Sequence, residues 1–133
     1  MREVKFRVWD YEERQMKSVD SIHFPLGRCN RKCISVYNKE EDCYEWVYSY
    51  ELMQYISIKD KNGKEIYEGD IVKYLDENWY EYNTFYNMGK VCYDDEFLSY
   101  YVTNRWSVEK EKVWNDIEVV GNIYENPEML DDI

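Results

Sequence analysis

Apolar and polar positions alternate from the start of the chain. Val4, Phe6 and Val8 stand between Lys5, Arg7 and Trp9, the period of a half-buried strand that ends near Asp10. Polar residues 11–15 predict a turn, and 16–24 predict an antiparallel return that Pro25 and Gly27 interrupt. Tyr44, Trp46, Tyr48, Tyr50 and Leu52 then repeat at spacing two and continue to Ile58, which predicts one long strand. Asn62-Gly63 lies between apolar runs, and both residues tolerate the positive φ of a tight primed hairpin turn. Beyond it, Glu68-Gly69-Asp70 reads as a second turn and 71–74 as a strand, while 76–87 has no clean period and reads as a long loop. Strands resume at 89–94, 97–103 and 117–124, and Asn126-Pro127-Glu128 has the cap and first-turn proline of a helix start.

Short strands with almost no helix predict a mainly β protein, or α+β if the C-terminal turn is counted. The expected architecture is a set of N-terminal antiparallel strands over 1–62, followed by a small β-barrel over 63–133 with a short helical turn at its end. No internal repeat or low-complexity linker is present.

Composition narrows the choice of partner. The 133 residues carry 28 acidic and 17 basic side chains, a formal charge of −11. Residues 1–66 hold 12 basic and 12 acidic groups, whereas 67–133 hold 5 and 16, so the excess lies wholly in the second half. DNA binding draws on cations that displace counterions from phosphate, so this distribution argues against direct DNA binding. No apolar run approaches the roughly 20 residues that span a bilayer, and the N-terminus lacks a secretory core, so a cytoplasmic location and no membrane partner are expected.

Leu52-Met53-Gln54-Tyr55, followed by Lys59-Asp60-Lys61-Asn62-Gly63-Lys64-Glu65-Ile66-Tyr67-Glu68-Gly69-Asp70-Ile71-Val72-Lys73-Tyr74, resembles the YopX family of bacteriophage and prophage proteins. The opening Arg2-Glu3-Val4-Lys5-Phe6-Arg7-Val8-Trp9-Asp10 and the closing Val119-Val120-Gly121-Asn122-Ile123-Tyr124-Glu125-Asn126-Pro127-Glu128 are similar to the same family. Ile56-Ser57 stands where the family usually has Thr-Gly, and 25–50 and 76–116 carry no match. The resemblance implies a phage-encoded accessory protein, an SH3-like second half in the bacterial host cell, and self-association. It implies no activity. Trp9, Tyr55 and Tyr67 are expected in the core, with Asn62, Gly63, Gly69 and Gly121 serving backbone geometry.

Catalytic readings are thin. His23 is the single histidine and has no recognisable partner in sequence, and no phosphate-cradling or zinc-protease motif occurs. Glu68, Asp70 and Asn122 offer a ligand or cation site, and Glu68 with Asp70 a metal-dependent nuclease, as minority readings. Cys29, Cys33 and Cys43, completed by His23 or Cys92, offer zinc at loose spacing; reduced cysteines without metal are expected instead. No cofactor is expected.

Binding readings are stronger. Fifteen tyrosines and five tryptophans exceed what so small a core buries, so some rings must face outward. Trp79, Tyr80, Tyr82, Phe85 and Tyr86, with Tyr100, Tyr101, Arg105 and Trp106, are the expected partner surface. Arg28, Arg31 and Lys32 form a basic cluster suited to an anionic small ligand such as a nucleotide. The expectation is a non-catalytic protein that binds a host macromolecule or ligand, countering host defence. Its rivals are a homo-oligomer sequestering a nucleotide signal and an acidic phosphate mimic seated in a basic groove of a host protein.

Overall fold

In the computed structural model, described here over residues 2–25, 32–78, 83–105 and 116–133 and without the side chains of 76–78 and 83–85, the chain is mainly β. It divides into two compact units, Val4–Gln54 and Met1–Glu3 with Tyr55–Ile133. The division falls inside a single strand, whereas the sequence boundary at 62/63 falls in a hairpin loop of the second unit.

The first unit is a meander of β1 (Phe6–Asp10), β2 (Gln15–His23), β3 (Cys33–Asn38) and β4 (Cys43–Val47), joined by the first half of β5 (Tyr50–Lys59). The strand order is β4-β3-β2-β1-β5, antiparallel throughout. Alternation places Val8, Ile34, Val36 and Val47 on the inner face, with Val19, Ile22, Tyr50 and Leu52 packed against them. Each such aliphatic side chain contributes roughly 1.5–3 kcal/mol by leaving water.

Residues 44–58 are two strands, not the single one expected, because the chain must pass from one side of the sheet to the other. Val47 and Tyr50 are three peptide units apart, at most about 11 Å. A flat sheet would hold β4 and β5 about 19 Å apart across four strand spacings, so the sheet is rolled. Tyr11 N–H donates to the Ser49 carbonyl (3.0 Å) and the Tyr50 hydroxyl to the Lys32 carbonyl (2.8 Å), fixing the crossing. β3 was not anticipated, although Ile34 and Val36 alternate with Ser35 and Tyr37 within it.

The second unit contains the rest of β5, β6 (Glu65–Tyr67) and a four-stranded sheet ordered β10-β7-β8-β9, formed by β7 (Asp70–Asn78), β8 (Asn83–Asp94), β9 (Ser99–Thr103) and β10 (Glu118–Asn122). The expected small barrel is not found: among the described residues β9 and β10 remain edges of an open sheet. The core is Ile56, Ile66, Val72, Tyr74, Val91, Val102 and Ile117. Gly89 lets strands approach closely, since a Cβ there would lie 2.6 Å from Val102 Cγ1 and 2.8 Å from the Thr103 carbonyl oxygen.

Three local expectations change. Residues 76–78 and 83–87 are strand, with Asp76 paired to Phe85 and Asn78 to Asn83, because backbone pairing does not require a side-chain period. The turn at Asn62-Gly63 is a five-residue loop in which Gly63 has φ 82° and Asn62 does not take positive φ. Asp60 is the reason: its carboxylate accepts from the Asn62 and Lys64 amides (2.9 and 2.8 Å) and holds the wider loop. The closing turn is a 3-10 helix, Pro127–Asp132, and Asn126 does not cap it; its Oδ1 accepts from the Asn122 amide instead (3.2 Å). Among the described residues no helix is long and apolar enough to cross a membrane.

Candidate interaction surface

On β4 the phase of alternation turns the rings outward. Val47 is buried, so Tyr44, Trp46 and Tyr48 project from the opposite face, 66%, 50% and 64% exposed. The register sets Tyr44 beside Tyr37 and Trp46 beside Ser35, and β2 brings His23 opposite Cys33. Ring centroids lie 5.3 Å apart for Tyr37 and Tyr44 and 5.2 Å apart for His23 and Trp46, giving a chain of edge and tilted contacts. The Tyr37 hydroxyl donates to Asp42 at the hairpin tip, and that bond raises the Tyr37 pKa. β4 also closes the sheet on this side, so its backbone is an edge strand. Sequence reasoning recognised this strand but not its face; the single buried aliphatic, Val47, is the signal that decides it.

The residues named in advance are scattered. Arg28, Arg31, Trp79, Tyr80, Tyr82 and Trp106, and the side chain of Phe85, lie outside the described residues. Lys32 holds its ammonium 5.8 Å from the Phe24 ring. Tyr86 is exposed and carries the Lys73 ammonium 4.5 Å and the Lys61 ammonium 5.9 Å from its ring centroid. Tyr100 turns inward onto the core and against Tyr93 at 5.2 Å, whereas Tyr101, one residue on, lies on the other face beside Cys92. Tyr100 and Tyr101 therefore do not share a surface; exposed Arg105 lies two and four residues beyond Thr103 and Tyr101.

Trp9 and Tyr55 are buried, and the Tyr67 ring is tilted against that of Tyr55 with centroids 5.6 Å apart. Gly69 has φ 83°, and a Cβ on Gly121 would meet Asn126 Oδ1 at 2.7 Å. Asp70 and Asn122 are cross-strand partners, yet both serve turns: Asp70 accepts from the Tyr67 amide (2.8 Å), and Asn122 Oδ1 accepts from the Tyr124 and Glu125 amides (3.0 and 2.9 Å).

The thiol cluster separates. Asn38 pairs with Cys43, five positions along β3 from Cys33, which puts the two thiols roughly 17 Å apart. One zinc, with Zn–S near 2.3 Å, does not span that distance. Cys43 instead lies with Glu41 and Glu45, their ligand atoms within 4.8 Å. Desolvation and the two carboxylates push its thiol pKa up. His23 Nε2 lies 3.1 Å from Ser21 Oγ, but among the described residues no hydrogen bond orients its other nitrogen. A cleft of about 440 Å³ beside β3 is polar, and Lys17, one of the two lysines that line it, is engaged by Asp10 and Glu13.

Residues 5–131 match the family model for the YopX protein. The chain belongs to the YopX family. Among solved structures this YopX-family chain is similar to protein EF1440 from Enterococcus faecalis, at 27% identity over 98% of this chain and 99% of that one, with a TM-score of 0.62. No curated protein matches it.

Proposed function

We propose that this chain is a non-catalytic accessory protein of a phage or prophage that acts by docking a host protein on the aromatic face of β3 and β4. The observation that carries the reading is the outward ladder of Tyr44, Trp46 and Tyr48 with Tyr37 and His23 beside it. Tyr and Trp bring large contact area at low entropic cost, which is why they anchor interfaces. Glu40, Glu41 and Asp42 at the hairpin tip favour a partner that presents Arg or Lys, able both to pair with them and to lie over the rings. Absence of catalysis is supported by the use of the buried carboxylates in turns and by the unoriented Ser21–His23 pair.

The test is capture from host lysate by the wild type and by Y44S/W46S/Y48S, with sedimentation of both to separate partner docking from self-association. A partner retained by the wild type, released by salt and lost by the variant supports the reading. Equal capture by both proteins contradicts it.

A second reading rests on charge. The unit Val4–Gln54 carries 8 basic and 9 acidic groups, while the remainder carries 9 and 19. A unit of net −10 is suited to a basic groove on a host protein. Capture that survives the ring substitutions yet disappears in salt favours this alternative.

A further inference from the structure

Against that acidic background, one cavity of the second unit gathers cations. Lys90 on β8 is the cross-strand partner of Thr103 on β9, which places both on one side of the strand pair, and Arg105 follows in the turn just beyond the end of β9. With Asn104 and with Leu130 and Ile133 of the closing turn, they line a cavity of about 460 Å³. That lies within the roughly 300–1,000 Å³ range of small-molecule sites.

The lining divides by chemistry. Lys90, Arg105 and Thr103 bring cationic and hydroxyl donors to the lining, and Leu130 and Ile133 bring apolar side chains to it. Asn104 is buried and donates to the Met88 carbonyl (2.9 Å) and the Tyr74 hydroxyl (3.4 Å), which anchors the chain between Thr103 and Arg105. Lys90 has no salt-bridge partner among the described residues, although the unit holds twice as many acids as bases. Asp131 and Asp132 lie between Leu130 and Ile133 in sequence but do not line the cavity.

We infer that this cavity is a binding site for a small organic oxyanion, its phosphate or carboxylate head held by Lys90, Arg105 and Thr103 and its apolar body laid against Leu130 and Ile133. Arg and Lys give charge-assisted hydrogen bonds to such a head, and the hydroxyl adds a third donor. The site is independent of the aromatic face.

Calorimetric titration with 1-naphthyl phosphate, 1-naphthoate and 1-naphthol tests it. At least one of the two anions is expected to bind at submillimolar concentration, and the uncharged naphthol about tenfold more weakly or worse. The arm that binds more tightly identifies the head group. K90Q and R105Q should each weaken the anion by about tenfold without changing Tm, and L130S should weaken naphthyl phosphate more than inorganic phosphate. No heat from either anion at millimolar concentration, or undiminished binding in K90Q/R105Q, overturns the site.

Discussion

The Asp60 carboxylate accepts a hydrogen bond from the Val119 amide at 3.0 Å, joining the β5–β6 loop to β10 across 59 positions of sequence. The same side chain holds the Asn62 and Lys64 amides, and the Lys61 amide donates to the Ile117 carbonyl (3.0 Å). One buried acid thus shapes a turn and fastens a distant strand. Asp60→Ala is expected to cost about 2–3 kcal/mol in denaturant unfolding, because partly buried amides lose their acceptor. Asp60→Asn, which keeps one oxygen, should cost less.

Acid should unfold the protein through such groups. Burial raises the pKa of Asp60, but the Val119, Lys64 and Asn62 amides outweigh it and hold the carboxyl below its ordinary value. Asp10 behaves alike: burial is outweighed by Lys17 and the Glu13 and Glu12 amides. A depressed folded pKa means the unfolded chain binds protons first, so this stability is present above the unfolded value of about 3.9 and is lost as pH falls through the folded one. Unfolding free energy measured against pH should fall below about pH 4, and Asp60→Asn should flatten that fall.

Two glycines should respond differently to alanine. Gly63 has open space around its Cβ position but φ 82°, so the substitution is expected to cost about 1 kcal/mol from backbone strain alone. An alanine Cβ at position 89 would lie 2.8 Å from the Thr103 carbonyl oxygen, and relief requires β8 and β9 to part; the expected cost is about 2–3 kcal/mol. Thermal melts of the two variants order them. Equal losses would contradict the close approach of β8 and β9.

Much of the fold was legible because alternation survives where one face is buried: β1, β2, β9 and β10 lie within a few residues of the expected spans. Two features were not. The break between β4 and β5 follows from sheet curvature, a long-range property that Tyr48-Ser49 does not announce. The strand character of 76–78 and 83–87 comes from cross-strand pairing, not from a side-chain period. The candidate surface escaped for a related reason. Spacing two fixes that Tyr44, Trp46 and Tyr48 share a face, and Val47, buried with Ile34 and Val36 of the neighbouring β3, determines that this face looks outward.

The aromatic ladder is tested most directly by measuring affinity for a purified captured partner alongside stability. Tyr48→Ser should change unfolding free energy by no more than about 0.5 kcal/mol, and Tyr44→Ser and Trp46→Ser, which each also lose a cross-strand ring contact, by about 1 kcal/mol. Trp46→Ser, at the middle of the ladder, is expected to weaken the partner by about 2 kcal/mol or more, a roughly 30-fold rise in Kd. An unchanged Kd with all three rings removed from a fully folded protein would contradict the account.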